Sequence, residues 1–379
     1  MSFEQVPYAR HLIQDDDETA VISALKSENL TTGPLVAEFE RLLQEFCGAE
    51  TTVVTSGTAA LHSIFSVLNL QPKDEIITPP NTFVATQATA AITGAEIKFA
   101  EIQSDTGNID PESVKSLISP KTKVIVAVDF AGHPAELDEL NVIAKYAGAK
   151  LIEDAAHSLG STYRGTRVGS QADATAFSFF ATKNIATGEG GAISTKHTDL
   201  ASRVRTFSRQ GIVREDKHFK NENLGPWYYE VQNFGLNYRL PDILCALGVS
   251  QLKKIQSFKE FRSFLFQKYT EFLSQYKFIT LPTVRSYVEP MWHLYPIRVP
   301  KEIRKDIYLA LHREGIKVQV NYIPSYWHPA FDPQIYPKGL CPIAEDFYSG
   351  EISMPMYVEE FLLSDEYFDR LDSVFSKYA

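Results

Sequence analysis

The sequence predicts an α/β protein with a large, mostly parallel sheet and a smaller α/β domain towards the C-terminal end. Between about residues 50 and 200, short runs rich in Val, Ile and Leu alternate with segments whose apolar residues recur at helical spacing. This alternation is typical of strands that are buried on both faces and connected by helices. Beyond about residue 250 the pattern changes, which indicates a second domain.

The predicted large sheet is built from five apolar runs. The clearest helix follows the first strand, because its apolar residues recur three and four positions apart, at Ala59, Leu61, Ile64, Phe65 and Leu68. Ligands bind such sheets beyond the carboxyl ends of the strands, so the residues after each strand are the candidate site residues. In chain order, we predict strands at 51–55, 74–79, 123–130, 150–154 and 174–180, and helices at 56–70 and 86–92.

The chain beyond residue 250 predicts a smaller domain. A long helix at roughly 242–275 leads into two strand-like segments, HLYPIRV and VQVNYI, with a helix near 302–314 between them. We therefore expect a large domain at 15–250 and a small domain at 251–379, with residues 1–14 packed nearby.

Composition excludes several classes of protein. Lys plus Arg number 37 and Asp plus Glu number 47, a net charge of −10 that opposes nucleic-acid binding. The three cysteines, Cys47, Cys245 and Cys341, have neither the spacing of a metal site nor the pattern of a disulfide framework. The N-terminal residues do not resemble a signal peptide, and no apolar run reaches the roughly 18 residues of a membrane span. These features predict a cytoplasmic protein without a metal.

Two groups of polar residues follow predicted strands. The turn Ser56-Gly57-Thr58 leads directly into a helix, whose free backbone N–H groups and dipole form an anion site. Asp154 closes the buried strand KLIED, and the small residues after it, which precede His157, leave room for a flat ligand. For both groups the alternative is an ordinary helix N-cap, which has the same appearance in a sequence.

Lys183 lies just past the strand at 174–180, in the glycine-rich segment ATKNIATGEGG. A lysine that is desolvated in such a loop has a lowered pKa and exposes a neutral amine, which is what Schiff-base chemistry requires. The alternative is a surface lysine in a turn. The GEGG sequence lacks the spacing of a dinucleotide fingerprint, which argues against a nicotinamide-dependent enzyme.

Together, the three groups match the needs of pyridoxal 5'-phosphate. A phosphate-binding turn, a carboxylate for the pyridine nitrogen and a Schiff-base lysine would all lie at one edge of the sheet. Ser178, on the strand before Lys183, is a further candidate for the phosphate. Phe83, after the second strand, is a candidate for stacking on the ring or, equally, for core packing.

The order of the motifs TTGPLVAEFE, SGTAAL, NTFVAT, EDAAHSLGS, FSFFATKNIATGEGGAI and GLNYRLPDILCALGVSQL resembles the DegT/StrS family of nucleotide-sugar aminotransferases. The resemblance runs from about residue 8 to the end and implies fold type I, the aspartate aminotransferase type. It implies Lys183 as the catalytic lysine, Asp154 on the pyridine nitrogen and His157 beside the phenolic oxygen. It also implies a homodimer, in which Asn237 reaches the partner's cofactor. The phosphate contacts implied are Gly57, Thr58 and Ser178, with Phe83 against the ring.

The resemblance also suggests a substrate class. GEGG after Thr187, with the segments around 225–243 and 318–331, is most similar to members that aminate UDP-linked 4-keto-6-deoxy N-acetylamino sugars for pseudaminic acid-type surface glycans. Such enzymes take the amino group from L-glutamate and work in a ping-pong cycle through pyridoxamine phosphate. Candidate substrate contacts, each alternatively a packing residue, are Arg214, Arg239, Tyr322, Tyr326 and His328.

Two departures from the family pattern leave the sugar open. The family often has SFH where this chain has Ser178-Phe179-Phe180, and R-x-HG where it has Ser208-Arg209-Gln210-Gly211. The phenylalanine form is more frequent in enzymes that act on 3-keto sugars. One alternative is therefore a family member that acts on a 3-keto or dTDP-linked sugar. Another, from a different class, is a regulatory protein that binds pyridoxal phosphate without turnover.

Overall fold

A seven-stranded sheet lies at the centre of the larger part of the molecule. The computed structural model describes residues 5–379, and the first four residues of the segment expected to pack near the small domain lie outside the described residues. The strands of the described chain, seven of which form this sheet, are β1 (Glu50–Val54), β2 (Glu75–Thr78), β3 (Glu96–Phe99), β4 (Thr122–Val128), β5 (Lys150–Asp154), β6 (Thr162–Tyr163), β7 (Thr166–Arg167), β8 (Ala174–Ser178), β9 (Gly191–Thr195), β10 (Ile212–Val213), β11 (Glu230–Val231), β12 (Val288–Glu289), β13 (Tyr295–Arg298) and β14 (Glu351–Met354).

The helices pack on both faces of this sheet and around a second core. Two of them end at a left-handed glycine, α2 at Gly48 and α6 at Gly148, where a residue without Cβ takes a positive φ readily. The helices are α1 (Asp15–Leu25), α2 (Pro34–Cys47), α3 (Gly57–Val67), α4 (Ala85–Ala91), α5 (Pro111–Leu117), α6 (Leu137–Ala147), α7 (Thr198–Phe207), α8 (Asp242–Lys253), α9 (Ile255–Leu273), α10 (Lys301–Arg313), α11 (Pro342–Gly350) and α12 (Asp365–Phe375).

The large sheet has the strand order β1-β9-β8-β5-β4-β2-β3. The four pairs among β3, β2, β4, β5 and β8 are parallel, whereas β9 is antiparallel to both of its neighbours, β1 and β8. Six of the seven described strands therefore run in one direction, and their carboxyl ends lie at one edge. This confirms the predicted mostly parallel sheet.

The predicted strands at 51–55, 74–79, 123–130, 150–154 and 174–180 are present with small shifts at their ends. Two strands of the large sheet were missed because both are short and lack a continuous apolar run: β3 reads EIKF, and β9 reads GAIST directly after a glycine-rich loop. The predicted helix face is buried as expected, with Ala59, Leu61, Ile64 and Phe65 in the core below the sheet.

The predicted helix at 242–275 is interrupted. Lys254 leaves the helical conformation (φ −98°, ψ −1°) and separates α8 from α9. The break allows the two helices to pack against different elements of the chain. Helix α8 packs on α1 and α2, whereas Leu265, Tyr269 and Leu273 of α9 lie in the second core. The ammonium of Lys254 bonds to Asp17 of α1 at 2.7 Å and so connects the break to the N-terminal helix.

The second core is built on the antiparallel pair β13–β14, with α9, α10 and α12 around it. The segment VQVNYI is not a strand; Gln319 makes one isolated backbone pairing with Ser353, and the chain then turns away. From the N-terminal side, Val6 pairs with Ile316 of the same core. We propose that the two cores correspond to domains at 15–250 and 251–379. No helix in the described range, 5–379, is long and apolar enough to cross a membrane.

Helix α8 packs against α2 through a glycine. A Cβ on Gly248 would lie 2.5 Å from ring atoms of Phe39, which is itself fully buried beside Phe179. We expect Gly248→Ala to lower the free energy of unfolding by about 1–3 kcal/mol, although alanine has the higher helix propensity, because the ring has no room to move. Denaturant unfolding would measure this change, and Phe39→Leu in the same chain should recover part of the loss. Equal or greater stability of the single variant would contradict the prediction.

Candidate active site

A cavity of about 410 Å³ opens at the carboxyl edge of the large sheet. Its wall combines residues that follow β1, β2, β5 and β8 with residues of the second core and the N-terminal segment. The cavity therefore lies where six co-directional strands end. The sequence-predicted residues that line it are Gly57, Thr58, Phe83, Asp154, His157, Ser178, Lys183 and Tyr322.

The turn after β1 forms one end of the cavity. The Ser56 hydroxyl accepts a hydrogen bond from the Ala59 N–H at 3.0 Å, so the predicted N-cap exists. The first N–H groups of α3, at Gly57 and Thr58, have no acceptor within the helix and lie in the cavity wall. A Cβ on Gly57 would lie 2.9 Å from the Cβ of Ser178, so glycine permits the close approach of β8. This end of the cavity is suited to an anion.

Asp154 lies at the end of β5 and is buried. No helix begins behind it, since residues 156–160 form turns, so the N-cap alternative does not apply. Its Oδ2 accepts a hydrogen bond from the Thr86 hydroxyl at 2.6 Å, and its Oδ1 accepts one from the Ala156 N–H at 3.2 Å. Burial raises the pKa of Asp154, while these two donors and Lys183 act to lower it.

Lys183 lies in the loop between β8 and β9, where its backbone N–H donates to the Phe180 carbonyl at 2.8 Å. Its side chain is half-buried in the cavity wall rather than free at the surface. Burial lowers the pKa of the Lys183 ammonium to about 8, against the opposing attraction of Asp154. Near neutral pH the amine therefore has an appreciable uncharged fraction, the form that attacks carbonyl carbons.

Aromatic side chains, among them two histidines, surround the remaining space. The Tyr322 hydroxyl lies 3.2 Å from Nε2 of His157, and the His293 ring lies 4.3 Å from the His157 ring between centroids. The pKa of His157 lies well below its usual value, mainly because the ring is buried and secondly because of the charge of Lys183. The imidazole is therefore neutral. Phe83 is 61% exposed and lines the cavity, which favours a ligand contact over core packing.

Five sequence-predicted residues do not line this cavity in the described chain. Tyr326 is buried, and its hydroxyl donates to Glu345 at 2.6 Å, so it is a core residue. Arg239 donates to Gln210 at 3.0 Å, and the Arg214 guanidinium lies 5.2 Å from the Tyr229 ring centroid. His328 and Asn237 also lie outside the cavity wall, and Asn237 is exposed.

Four residues of the site were not predicted from the sequence. Three of them line the cavity, and the fourth forms a hydrogen bond with Asp154. Tyr8 and Asn321 line it together, and the Asn321 amide donates to the Tyr8 hydroxyl at 2.6 Å. His293 lines it from the segment before β13, and Thr86 bonds to Asp154 from α4. Two of the four had a signal in the sequence, since Thr86 lies in the NTFVAT motif and Asn321 in the segment 318–331 that carries part of the resemblance. Tyr8 and His293 come from parts of the chain that local patterns do not connect to the sheet.

These residues fit pyridoxal phosphate. The cavity provides backbone N–H groups for a phosphate, a buried carboxylate with unused lone pairs for a ring nitrogen, and an amine of lowered pKa for an aldehyde. The exposed ring of Phe83 adds an aromatic surface for a flat heterocycle.

Comparison with known proteins identifies the family. Residues 11–370 match the model of the DegT/DnrJ/EryC1/StrS aminotransferase family. The chain is 36% identical over 382 residues to the UDP-4-amino-4,6-dideoxy-N-acetyl-beta-L-altrosamine transaminase of Campylobacter jejuni serotype O:23/36, covering 98% of this chain and 97% of that one. It is also 36% identical over 359 residues to the spore coat polysaccharide biosynthesis protein SpsC of Bacillus subtilis, covering 93% of this chain and 92% of the other.

Solved structures agree with this assignment. Helicobacter pylori PseC, an aminotransferase involved in the biosynthesis of pseudoaminic acid, has a TM-score of 0.89 at 33% identity, with 98% of each chain covered. The PLP form of a putative sugar aminotransferase, Spr1654 from Streptococcus pneumoniae, has a TM-score of 0.90 at 29% identity, again with 98% of each chain covered. The chain therefore belongs to the DegT/DnrJ/EryC1/StrS aminotransferase family, and it is an enzyme with aminotransferase fold type I.

Proposed function

We propose that this enzyme transfers the amino group of L-glutamate to a UDP-linked 4-keto-6-deoxy N-acetylamino sugar. At the level of the family it is a nucleotide-sugar aminotransferase that depends on pyridoxal phosphate, the cofactor predicted from the sequence. The observation that carries the proposal is the presence of Lys183 and Asp154 in one cavity, with the pKa of Lys183 lowered to about 8.

Lys183 has two roles in this proposal. Its amine would hold the cofactor covalently and, when free, would serve as the acid–base group of the cavity. Bound pyridoxal phosphate supplies an electron sink for the carbon that loses a proton. The free Nζ then accepts that proton and returns it on the other side of the cycle, for which a pKa of about 8 is well matched to neutral pH.

In this proposal, the other cavity residues bind and orient the cofactor or the substrate. In the proposal, the N–H groups of Gly57 and Thr58 and the hydroxyl of Ser178 bind the phosphate at the start of α3. Asp154 would accept a hydrogen bond from the protonated ring nitrogen, a neutral His157 would lie beside the phenolic oxygen, and Phe83 would lie against the ring. Tyr322 remains a candidate substrate contact, because it lines the cavity.

Two kinds of relative bear on the sugar. Transaminases of the altrosamine type from Campylobacter jejuni and Helicobacter pylori are 34–36% identical to this chain, which favours the UDP-linked 4-keto sugar and a pseudaminic acid-type pathway. A Streptomyces venezuelae transaminase named for dTDP-3-amino-3,4,6-trideoxy-alpha-D-glucose is 30% identical. Phe180, the residue that departs from the family's SFH pattern, lines the cavity, which gives the 3-keto alternative a structural basis.

A homodimer with shared active sites is part of the proposal. The segment 224–236 carries six exposed large apolar side chains, a density that suits burial against a second copy. Asn237 follows this segment and is itself exposed, as a residue that reaches a partner's cofactor would be in one isolated chain. The exposed apolar residues are Leu224, Trp227, Tyr229, Val231, Phe234 and Leu236.

We expect Lys183→Ala to fold normally but to lose the visible absorption of covalently bound pyridoxal phosphate and to lower kcat by more than about 100-fold, because no other amine lines the cavity in the described chain. Absorbance spectra before and after L-glutamate, together with steady-state rates, would measure this. Lys196→Ala is the matched control, since Lys196 is exposed beyond the far end of β9. A Lys183→Ala enzyme with near-native rates would refute the proposed mechanism.

The proposed sugar is tested with a substrate panel. The enzyme is first converted to its amino form with L-glutamate, and keto-sugar nucleotides are then added one at a time. We expect the UDP-linked 4-keto-6-deoxy N-acetylamino sugar to restore the original spectrum fastest. Faster recovery with a 3-keto or dTDP-linked sugar would replace the proposed substrate by that alternative. No response to L-glutamate, with cofactor bound, would favour the non-catalytic regulatory protein.

Sharing of active sites is tested by subunit complementation. We expect Asn237→Asp to impair cofactor binding, because a carboxylate would repel the phosphate, and Lys183→Ala to be inactive. A purified mixed dimer of the two variants should regain activity, since one of its two sites combines an intact Lys183 with an intact Asn237 from the other subunit. Size-exclusion chromatography with light scattering and rates per dimer provide the measurement. A mixed dimer as inactive as its parents would place Asn237 in its own subunit's site or outside both.

A further inference from the structure

A short chain of buried hydroxyl groups ends at Asp154. The Thr86 hydroxyl lies 2.6 Å from Oδ2 of Asp154, and the Thr82 hydroxyl lies 3.0 Å from the Thr86 hydroxyl. Both threonines and Asp154 are buried, and Thr82 lines the cavity. The chain thus connects the N-terminal part of α4 with the end of β5 across the floor of the site.

The direction of donation follows from the chemistry of the groups. An ionised carboxylate only accepts hydrogen bonds, so the Thr86 proton is directed to Asp154. In the contact between the two threonines, Thr82 is then the donor; its oxygen lies 3.0 Å from that of Thr86, closer than the 3.4 Å to its other acceptor, the Phe83 carbonyl. A hydroxyl that itself receives a hydrogen bond is a stronger donor, so Thr82 reinforces the bond from Thr86 to the carboxylate.

Asp154 needs such donors because its surroundings oppose its charge. Burial raises its pKa, and the titratable groups that interact with it electrostatically are Lys183 from the loop after β8, Glu153 from the opposite face of its own strand and Tyr322 from the segment between α10 and α11. Of these, Lys183 favours the carboxylate, but its charge is lost when its amine is neutral.

We propose that Thr86 is a positioning residue, which keeps Asp154 ionised and turned so that its remaining lone pairs point into the cavity. The Ala156 N–H contacts only Oδ1, so the bond from Thr86 to Oδ2 fixes the rotation of the carboxylate. This inference rests on the proposed role of Asp154 as the partner of the ring nitrogen. Thr86 touches neither substrate nor cofactor in this account and acts through Asp154 alone.

Thr89, one turn further along α4, is a second buried threonine whose hydroxyl bonds within its own helix. It is equally buried, and its hydroxyl donates back to the Ala85 carbonyl of the same helix at 2.7 Å. The Thr86 hydroxyl is directed out of the helix to a side chain on another element instead. The two residues therefore form a matched pair, in which the same substitution removes either the contact with Asp154 or a local hydrogen bond.

The experiment compares Thr86→Val, Thr86→Ser and Thr89→Val in the full-length enzyme. Valine preserves the shape of threonine and removes the hydroxyl, whereas serine keeps it. The affinity for pyridoxal phosphate is measured by absorbance titration across pH, and the spectrum of the loaded enzyme reports the protonation state of the ring. Rates with L-glutamate then separate kcat from KM.

We expect Thr86→Val to weaken cofactor binding by about tenfold or more, the effect of losing a hydrogen bond to a charged group. Loss of a donor to the carboxylate raises the pKa of Asp154 further, so the acid limb of the affinity profile should move to higher pH. The loaded enzyme should show a spectrum of reduced ring protonation and a lower kcat with little change in KM. Thr86→Ser and Thr89→Val should follow the wild-type profile.

Other outcomes overturn the inference. If Thr86→Val binds the cofactor with the wild-type affinity and pH profile, or if Thr89→Val produces the same changes, Thr86 has only a structural role. If Thr86→Val does not fold, Thr86→Ala and Thr89→Ala replace the valine pair with the same criteria. A wild-type enzyme that fails to bind pyridoxal phosphate at all would instead refute the proposed function, so the two failures are distinguishable.

Discussion

The common direction of six strands determines the position of the polar groups that the large sheet contributes to the cavity. Because β1, β2, β5 and β8 run the same way, the turn at Gly57, the residues after Thr78, Asp154 and the loop with Lys183 all emerge at one edge of the sheet. The reversed strand β9 carries the chain back from that loop, which keeps the Lys183 loop short and anchored at both ends. Without this arrangement, residues more than a hundred positions apart would not meet.

The chemistry of the cavity depends on ionisable groups that are buried close together. Burial lowers the pKa of Lys183 to about 8 and raises the pKa of Asp154, so each group is less charged than it would be in water. Their mutual attraction opposes both shifts, and hydrogen bonds from Thr86 and Ala156 give the carboxylate additional support. Transamination requires an amine that is easily deprotonated, and the hydrogen bonds from Thr86 and Ala156 favour the ionised form of the neighbouring carboxylate.

The second core also supplies residues that line the cavity. Its segment 318–323, predicted as a strand, instead leaves the sheet pair and presents Asn321 and Tyr322 to the cavity, while the N-terminal segment adds Tyr8. Residues of the smaller part of the chain are therefore candidates, together with Phe180 of the large part, for contacts that distinguish one sugar from another. The large sheet, by contrast, supplies the residues proposed to hold the cofactor.

The sequence alone determined the apolar runs that become β1, β2, β4, β5 and β8 and the polar residues that end them, because buried strands need continuous apolar side chains and ligand sites follow their carboxyl ends. It therefore predicted the eight cavity residues that local patterns and the family resemblance could reach. It did not predict β3 and β9, which lack an apolar run, or the break at Lys254. Only the tertiary structure brought Tyr8, His293 and Asn321 to the site and placed Tyr326 in the core. The reason is physical: local periodicity records which face of an element is buried, whereas contacts between distant segments depend on how those elements pack.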